Sequence, residues 1–277
     1  MAARYFIELS FKGTRFHGWQ LQSNALTVQQ LIEDALSLLL KERVQITGAG
    51  RTDAGVHALY YVAHFDASDE KLEEKADVLY HLNSILPPDV RVHSLVSVPS
   101  TAHARYDAIK RCYEYHVCLQ RNPFLADYAC FFPYHVDVQK MNEGAQLIRQ
   151  ANDFTSFAKL HSSAKTNQCK VYKAVWQRYG DRLVFMIEAD RFLRNMVRAI
   201  AGTLLDVGRG KISLSRLQEI IEGKSRSLAG NSLPPQGLFL TDVVYPDVYL
   251  LPRKKWSFLF IAGVDDSWQE NKGSLKN

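Results

Sequence analysis

The stretch "GAGRTDAGVHAL", Gly48 to Leu59, sets an arginine, a threonine and an aspartate among three glycines. Glycine-rich loops commonly cradle an anion on backbone N–H groups, yet a carboxylate sits at the centre of this one. A dinucleotide fingerprint needs glycine where Asp53 stands. A Walker loop needs Lys-Ser or Lys-Thr after Gly55, where Val56 and His57 follow. A carboxylate would also repel a phosphate at close range. Two readings stay open. Asp53 could cap backbone N–H groups in a hairpin turn. Alternatively, the glycines admit another chain and hold Asp53 rigidly toward it.

Three further clusters could do chemistry. In "RFLRNMVR", Arg191, Arg194 and Arg198 are spaced i, i+3, i+7 and would share one face of a helix. With no acidic partner at helical spacing they need an external anion or a distant carboxylate, for which Asp53 is a candidate. The bland alternative is a solvated basic face. In "RCYEYHV", Tyr113 and Tyr115 point to one side of a strand, as half-buried strand tyrosines do or as a ring on which a base stacks. In "FKGTRFHGWQLQ", Lys12, Arg15 and His17 alternate with Phe16 and Trp19. That mixture suits looped RNA, or a turn that plugs Trp19 into the core.

The elements that position these residues read as α+β. "YFIELSF" alternates as a strand. "TVQQLIEDALSLL" opens with Thr27 and Gln30 in a capping-box pattern and continues as a helix. "VQITG" and "HALYYVAHFD" read as strands, "EKLEEKADVLYHL" as a helix and "DVRVHSLVSV" as a strand. The second half repeats the order. It has strand "KRCYEYHVCL", helix "DVQKMNEGAQLIRQ" capped by Asp137, and a hairpin turned at Gly180 and Asp181. Helix "RFLRNMVRAIAGTLLDVG", with Gly208 as C-cap, a short helix from Ser213 and strand "GLFLTDVVY" complete it. The expected fold is two ferredoxin-like, RRM-like β-α-β-β-α-β units with antiparallel sheets and a basic cleft between them. The division falls at residues 1–104 and 105–277. The sheets could flank a cleft or join into one long sheet.

A chain of 277 residues supports such a pair of units without staples. Its net charge of +5 leans toward a polyanionic partner. Four cysteines without C-x-x-C spacing read as reduced thiols rather than a metal site. The N-terminus lacks an apolar signal core, and no run is long enough to span a bilayer, so a cytoplasmic protein is expected.

Together these stretches resemble the TruA family of tRNA pseudouridine synthases over nearly the whole chain. "GTRFHGWQ", "GAGRTDAGVHA", "LNSILPPDV", "AHARYDAIKRCYEY", "NDFTSF", "FLRNMVR" and "GLFL" occur in the family's order. The resemblance implies a catalytic role for Asp53, an active-site tyrosine that packs against the target base at Tyr113, and Arg198 as the partner of the carboxylate. It implies that Arg51 helps displace the target nucleotide and that Leu238 lines the pocket. Lys12, Arg15, His17, Trp19, Arg105, Arg191 and Arg194 complete the expected RNA-binding set. The implied reaction converts uridine to pseudouridine at positions 38, 39 and 40 of the tRNA anticodon arm. It would be run by a homodimer without metal or organic cofactor. A carboxylate under a stacked base needs a cation to remain charged, which suits Arg198. Tyr113 is expected to stack and is a candidate base for the C5 proton. The alternative is a non-catalytic tRNA-binding or RNA-folding protein on the same fold; a phosphate-loop hydrolase lacks its lysine. "SLPPQGLFL" departs somewhat from the family before its glycine, and the tail "VDDSWQENKGSLKN" reads as polar and frayed.

Overall fold

Strand β1 (Ala3–Phe11) buries Tyr5 to Leu9 without a break, so both of its faces are covered. A computed structural model describes residues 2–159 and 165–252; the tail discussed above lies outside them. After β1 come α1 (Val28–Leu40), β2 (Thr47–Gly48), β3 (His57–Ala67), α2 (Ala76–Ile85) and β4 (Val90–Val98). The second half runs β5 (Lys110–Cys118), β6 (Cys130–Phe131), α3 (Val138–Gln150), β7 (Val171–Tyr179), β8 (Arg182–Ala189), α4 (Met196–Gly208), α5 (Leu214–Glu222) and β9 (Leu238–Val244). Thr27, Asp137 and Ser213 cap α1, α3 and α5 by accepting the N–H three residues on, which supplies one of each helix's orphan donors with a partner.

The strands form a single sheet in the order β4-β1-β3-β9-β5-β8-β7, with β2 on β3 and β6 on β5. The sequence left a split and a continuous sheet open; the sheet is continuous. It is also mixed. Most pairs are antiparallel, but β9 lies parallel to β3 and β6 parallel to β5. The β3–β9 ladder is short, pairing His57 with Phe239 and Ala58 with Leu240. A parallel pair needs a long connection, and almost the whole second half supplies it. Pairing through Phe11, Ala58, Leu240 and Tyr113 puts these four on one face.

Two cores lie against the sheet. One joins Ile7, Leu9, Ile32, Leu36, Leu82 and, from β9, Leu240 and Val243. The other joins Val117, Met141, Ile148, Phe185, Ile200 and Leu238. His57 fastens the seam. It is neutral with the proton on Nε2, because Nδ1 accepts from Gly13 N–H at 3.0 Å while Nε2 faces the Asp127 and Gln236 carbonyls at 3.0 and 3.1 Å. Burial, helped by the charge of Lys12, lowers its pKa to about 4 against the opposing carbonyls. Among the described residues no helix is long and apolar enough to cross a membrane.

Three expected elements are corrected. "VQITG" pairs only at Thr47 and Gly48. The helix expected from residue 70 begins at Ala76, after a 3-10 turn at Leu72–Glu74. The helix expected from Arg191 begins at Met196, because Asn195 takes a left-handed backbone, φ 68°, which ends any helix arriving from before it. Gly208 is that helix's last residue rather than its C-cap. A side chain there would meet Met141 of α3 at 2.6 Å, so its absence lets the two helices close.

Candidate active site

The Asp53 loop rests on aromatic rings. Trp19 stacks on Tyr61 with centroids 4.1 Å apart. A Cβ on Gly48 would lie 2.1 Å from the Tyr61 hydroxyl and 2.6 Å from the indole, so only glycine lets the chain sit this close. The Tyr61 hydroxyl donates to the Gly50 carbonyl, and Gly55 N–H donates to the Phe16 carbonyl at 3.2 Å. Gly18, at φ 89°, clears the Thr52 carbonyl only because it lacks a side chain. The turn at residues 13–19 is thus the bed of the loop. Trp19, 1% exposed, is a core residue and cannot meet RNA, which corrects its place in the binding set. Gly50, by contrast, has open space where a side chain would stand.

Asp53 projects from this loop and meets two guanidinium groups. Arg198 Nη1 lies 3.2 Å from Oδ2, and Arg194 Nε lies 3.3 Å from Oδ1. The two pairs are unequal. Arg198 is 17% exposed and Asp53 21%, whereas Arg194 is 59% exposed. Arg198 is held a second time, donating from Nε to the Leu233 carbonyl at 2.6 Å. Arg194 instead precedes α4, where its carbonyl accepts from Lys159 N–H at 3.0 Å. The arginines therefore do not share a helix face, as their spacing suggested; the non-helical lead-in delivers Arg194, and the first turn of α4 delivers Arg198. Among the described residues Arg191 makes no ion pair with Asp53; its backbone N–H donates to the Asp190 carboxylate at 2.7 Å.

Tyr113 packs against both cores. Phe192, from the lead-in to α4, meets it edge-on with centroids 5.1 Å apart. Burial pushes the Tyr113 phenol up to about 12; Arg111 opposes the shift, and the nearby charge of Asp53 adds to it. A phenol of that pKa is protonated at neutral pH, so it can donate a hydrogen bond and present a ring.

The remaining expected residues are placed unevenly. Arg51 is exposed and donates to Gln20 at 3.3 Å beside the loop. His17 and Arg105 are exposed. Lys12 pairs with Asp127 at 3.0 Å and Arg15 with Asp89 at 3.3 Å, so both cations already have acidic partners. Leu238 is buried opposite Tyr115 in the second core. Sequence reasoning missed Phe192, which the helical reading turned elsewhere, and Tyr61, whose role depends on a hydroxyl reaching back to Gly50.

A sequence model described as tRNA pseudouridine synthase matches residues 9–107 and 151–246. A protein of Parabacteroides distasonis named tRNA pseudouridine synthase A is 48% identical over 244 residues, 88% of this chain and 96% of its own. One of the same name from Porphyromonas gingivalis is 47% identical over 251 residues, covering 90% and 100%. Another from Caldicellulosiruptor bescii is 40% identical over 241 residues, covering 86% and 98%.

Proposed function

The chain belongs to the family of tRNA pseudouridine synthases and isomerises uridine to pseudouridine in tRNA, and on that premise we propose that Asp53, Arg198 and Tyr113 form its catalytic centre. The observation that carries the proposal is the meeting of Asp53 with Arg198 and Arg194 across 145 and 141 residues of sequence, beside Tyr113. The reaction breaks the C1′–N1 glycosidic bond, turns the uracil, joins C1′ to C5, releases the C5 proton and leaves N1 carrying a proton in its place. Nothing is oxidised. Asp53 acts at C1′, as a nucleophile or as the charge that drives departure of the base. Arg198 keeps that charge paired when the base covers it.

The target base must first leave its stack, at a cost of a few kcal/mol. Stacking on an aromatic ring returns about 1–3 kcal/mol, which is the part assigned to Tyr113. Its raised pKa favours that part over proton abstraction. Arg51, exposed beside the loop, fills the vacated space and holds a phosphate. His17, Arg105, Arg191 and Arg194 supply further positive charge. The equivalent strand order of the two halves supports two ferredoxin-like units, divided near residue 104, with RNA lying in a basic cleft over the seam. The finer reading takes uridines 38, 39 and 40 of the anticodon arm as targets, a homodimer that holds one tRNA across both copies, and the cytoplasm as its site; family resemblance and basic charge support it.

The test is Asp53→Ala incubated with an unmodified anticodon stem-loop. Pseudouridine, read by mass spectrometry, disappears while RNA binding persists. Product at the wild-type rate removes Asp53 from the centre.

A further inference from the structure

Arg111 of β5 touches none of the reacting groups, yet it ties together the segments that carry them. Its Nη1 donates to the carbonyls of Ala108 at 2.8 Å and Asp190 at 2.9 Å. Its Nη2 donates to those of Ala49 at 3.1 Å and Arg105 at 2.6 Å. The four acceptors belong to three different segments. Ala49 opens the loop that carries Asp53. Asp190 opens the lead-in to Arg194 and Arg198. Arg105 and Ala108 lie in the connection between the halves. Arg111 itself stands two residues before Tyr113 on the same strand.

Among the described residues no carboxylate pairs with Arg111, so carbonyl dipoles from the surrounding segments balance its charge. This suits a guanidinium, whose planar fork offers five donors in fixed directions. An ammonium offers three donors from one atom and cannot span the same four oxygens. Burial lowers the pKa of Arg111, while the Tyr245 and Tyr113 hydroxyls oppose the shift.

We propose that Arg111 is a positioning residue for the isomerisation, fixing the Asp53 loop against both the arginine lead-in and the Tyr113 strand. The proposal rests on the reading of Asp53, Arg198 and Tyr113 as the catalytic centre. Displacing reacting groups by about 1 Å costs on the order of 10²-fold in rate without removing substrate contacts. Arg111 therefore affects turnover and leaves RNA affinity nearly intact.

The experiment compares wild type, Arg111→Lys and Arg111→Ala on an unmodified anticodon stem-loop, measuring kcat and KM separately, with circular dichroism melts of each. Arg111→Lys is expected to lower kcat on the order of 10²-fold with KM within about threefold, and Arg111→Ala to lower kcat further. Unchanged kcat in both, or a loss confined to KM, overturns the proposal. So does unfolding of both variants at the assay temperature, because the guanidinium would then serve the fold at large. A wild-type protein that makes no pseudouridine, or an Asp53→Ala variant that makes it normally, sinks the underlying reading. Full wild-type activity beside indifferent Arg111 variants sinks only the role of Arg111.

Discussion

Asp53 holds two arginines at nearly equal distance, and burial predicts that they are unequal in effect. Arg198→Met keeps the unbranched stem of the side chain and removes the guanidinium, with its charge and its bond to the Leu233 carbonyl. It leaves a carboxylate that is about four-fifths covered facing only Arg194, itself 59% exposed. Removing one partner of a buried pair costs about 3–5 kcal/mol. Water reaches this pair, so about 2–4 kcal/mol is the expected loss. If the charge works in the transition state, that is a fall of roughly 30- to 1000-fold in kcat. Arg194→Met removes a pair of the exposed kind, about 1 kcal/mol at most, and kcat should fall by no more than about fivefold. Its effect should also fade as salt rises, since exposed pairs are screened over about 10 Å at 0.1 M. The assay is single-turnover tritium release from C5-labelled uridine in a stem-loop at saturating enzyme, with the double variant completing a cycle. A melt of each variant separates loss of fold from loss of charge. The reasoning is refuted if Arg194→Met damages kcat as much as Arg198→Met, or if Arg198→Met stays within about fivefold of wild type.

Tyr113→Phe keeps the ring and should retain activity within about tenfold, whereas Tyr113→Ala should lose a further 1–3 kcal/mol of base stacking, about 5- to 150-fold. Equal loss in both would make the hydroxyl, rather than the ring, the working group. Arg51→Ala should weaken RNA binding and reduce the slope of log affinity against log salt by about one; an unaltered slope takes Arg51 off the phosphates. Burial lowers His57 to about 4, and burial with His103 and Arg4 lowers His64 to about 4. Both are neutral in the fold, while the unfolded chain takes up their protons below about pH 6.5. Stability should therefore fall as pH drops from 6.5 toward 4, by at most about 3 kcal/mol per histidine, and a urea midpoint that stays flat over that window would count against this.

Much of the fold was legible because local chemistry decided it. Thr27, Asp137 and Ser213 announce their helices by capping, and Gly180, at φ 61°, marks the β7–β8 hairpin. The start of α4 was not legible. Leu193, Met196, Val197 and Ile200 keep helical spacing across the break, and asparagine tolerates the left-handed backbone without advertising it. Trp19 in a basic loop suits RNA stacking and core plugging equally, and the choice depends on Tyr61, 42 positions away. The β3–β9 seam is too short to leave a pattern. Asp53, Tyr113 and Arg198 stood out by type and motif. Arg111 did not, because its partners are backbone carbonyls, which every residue possesses.

The pairing of β9 with β3 bears on how the molecule is made. Leu240, Val243 and Tyr245 complete the apolar interior of the opening hundred residues, yet they follow almost the whole second half in the chain. On the ribosome, a nascent chain stopped before Leu238 holds an unfinished first half, with the β3 positions His57 and Ala58 still lacking their β9 partners. The sheet that joins the two halves is closed only once β9 has been made.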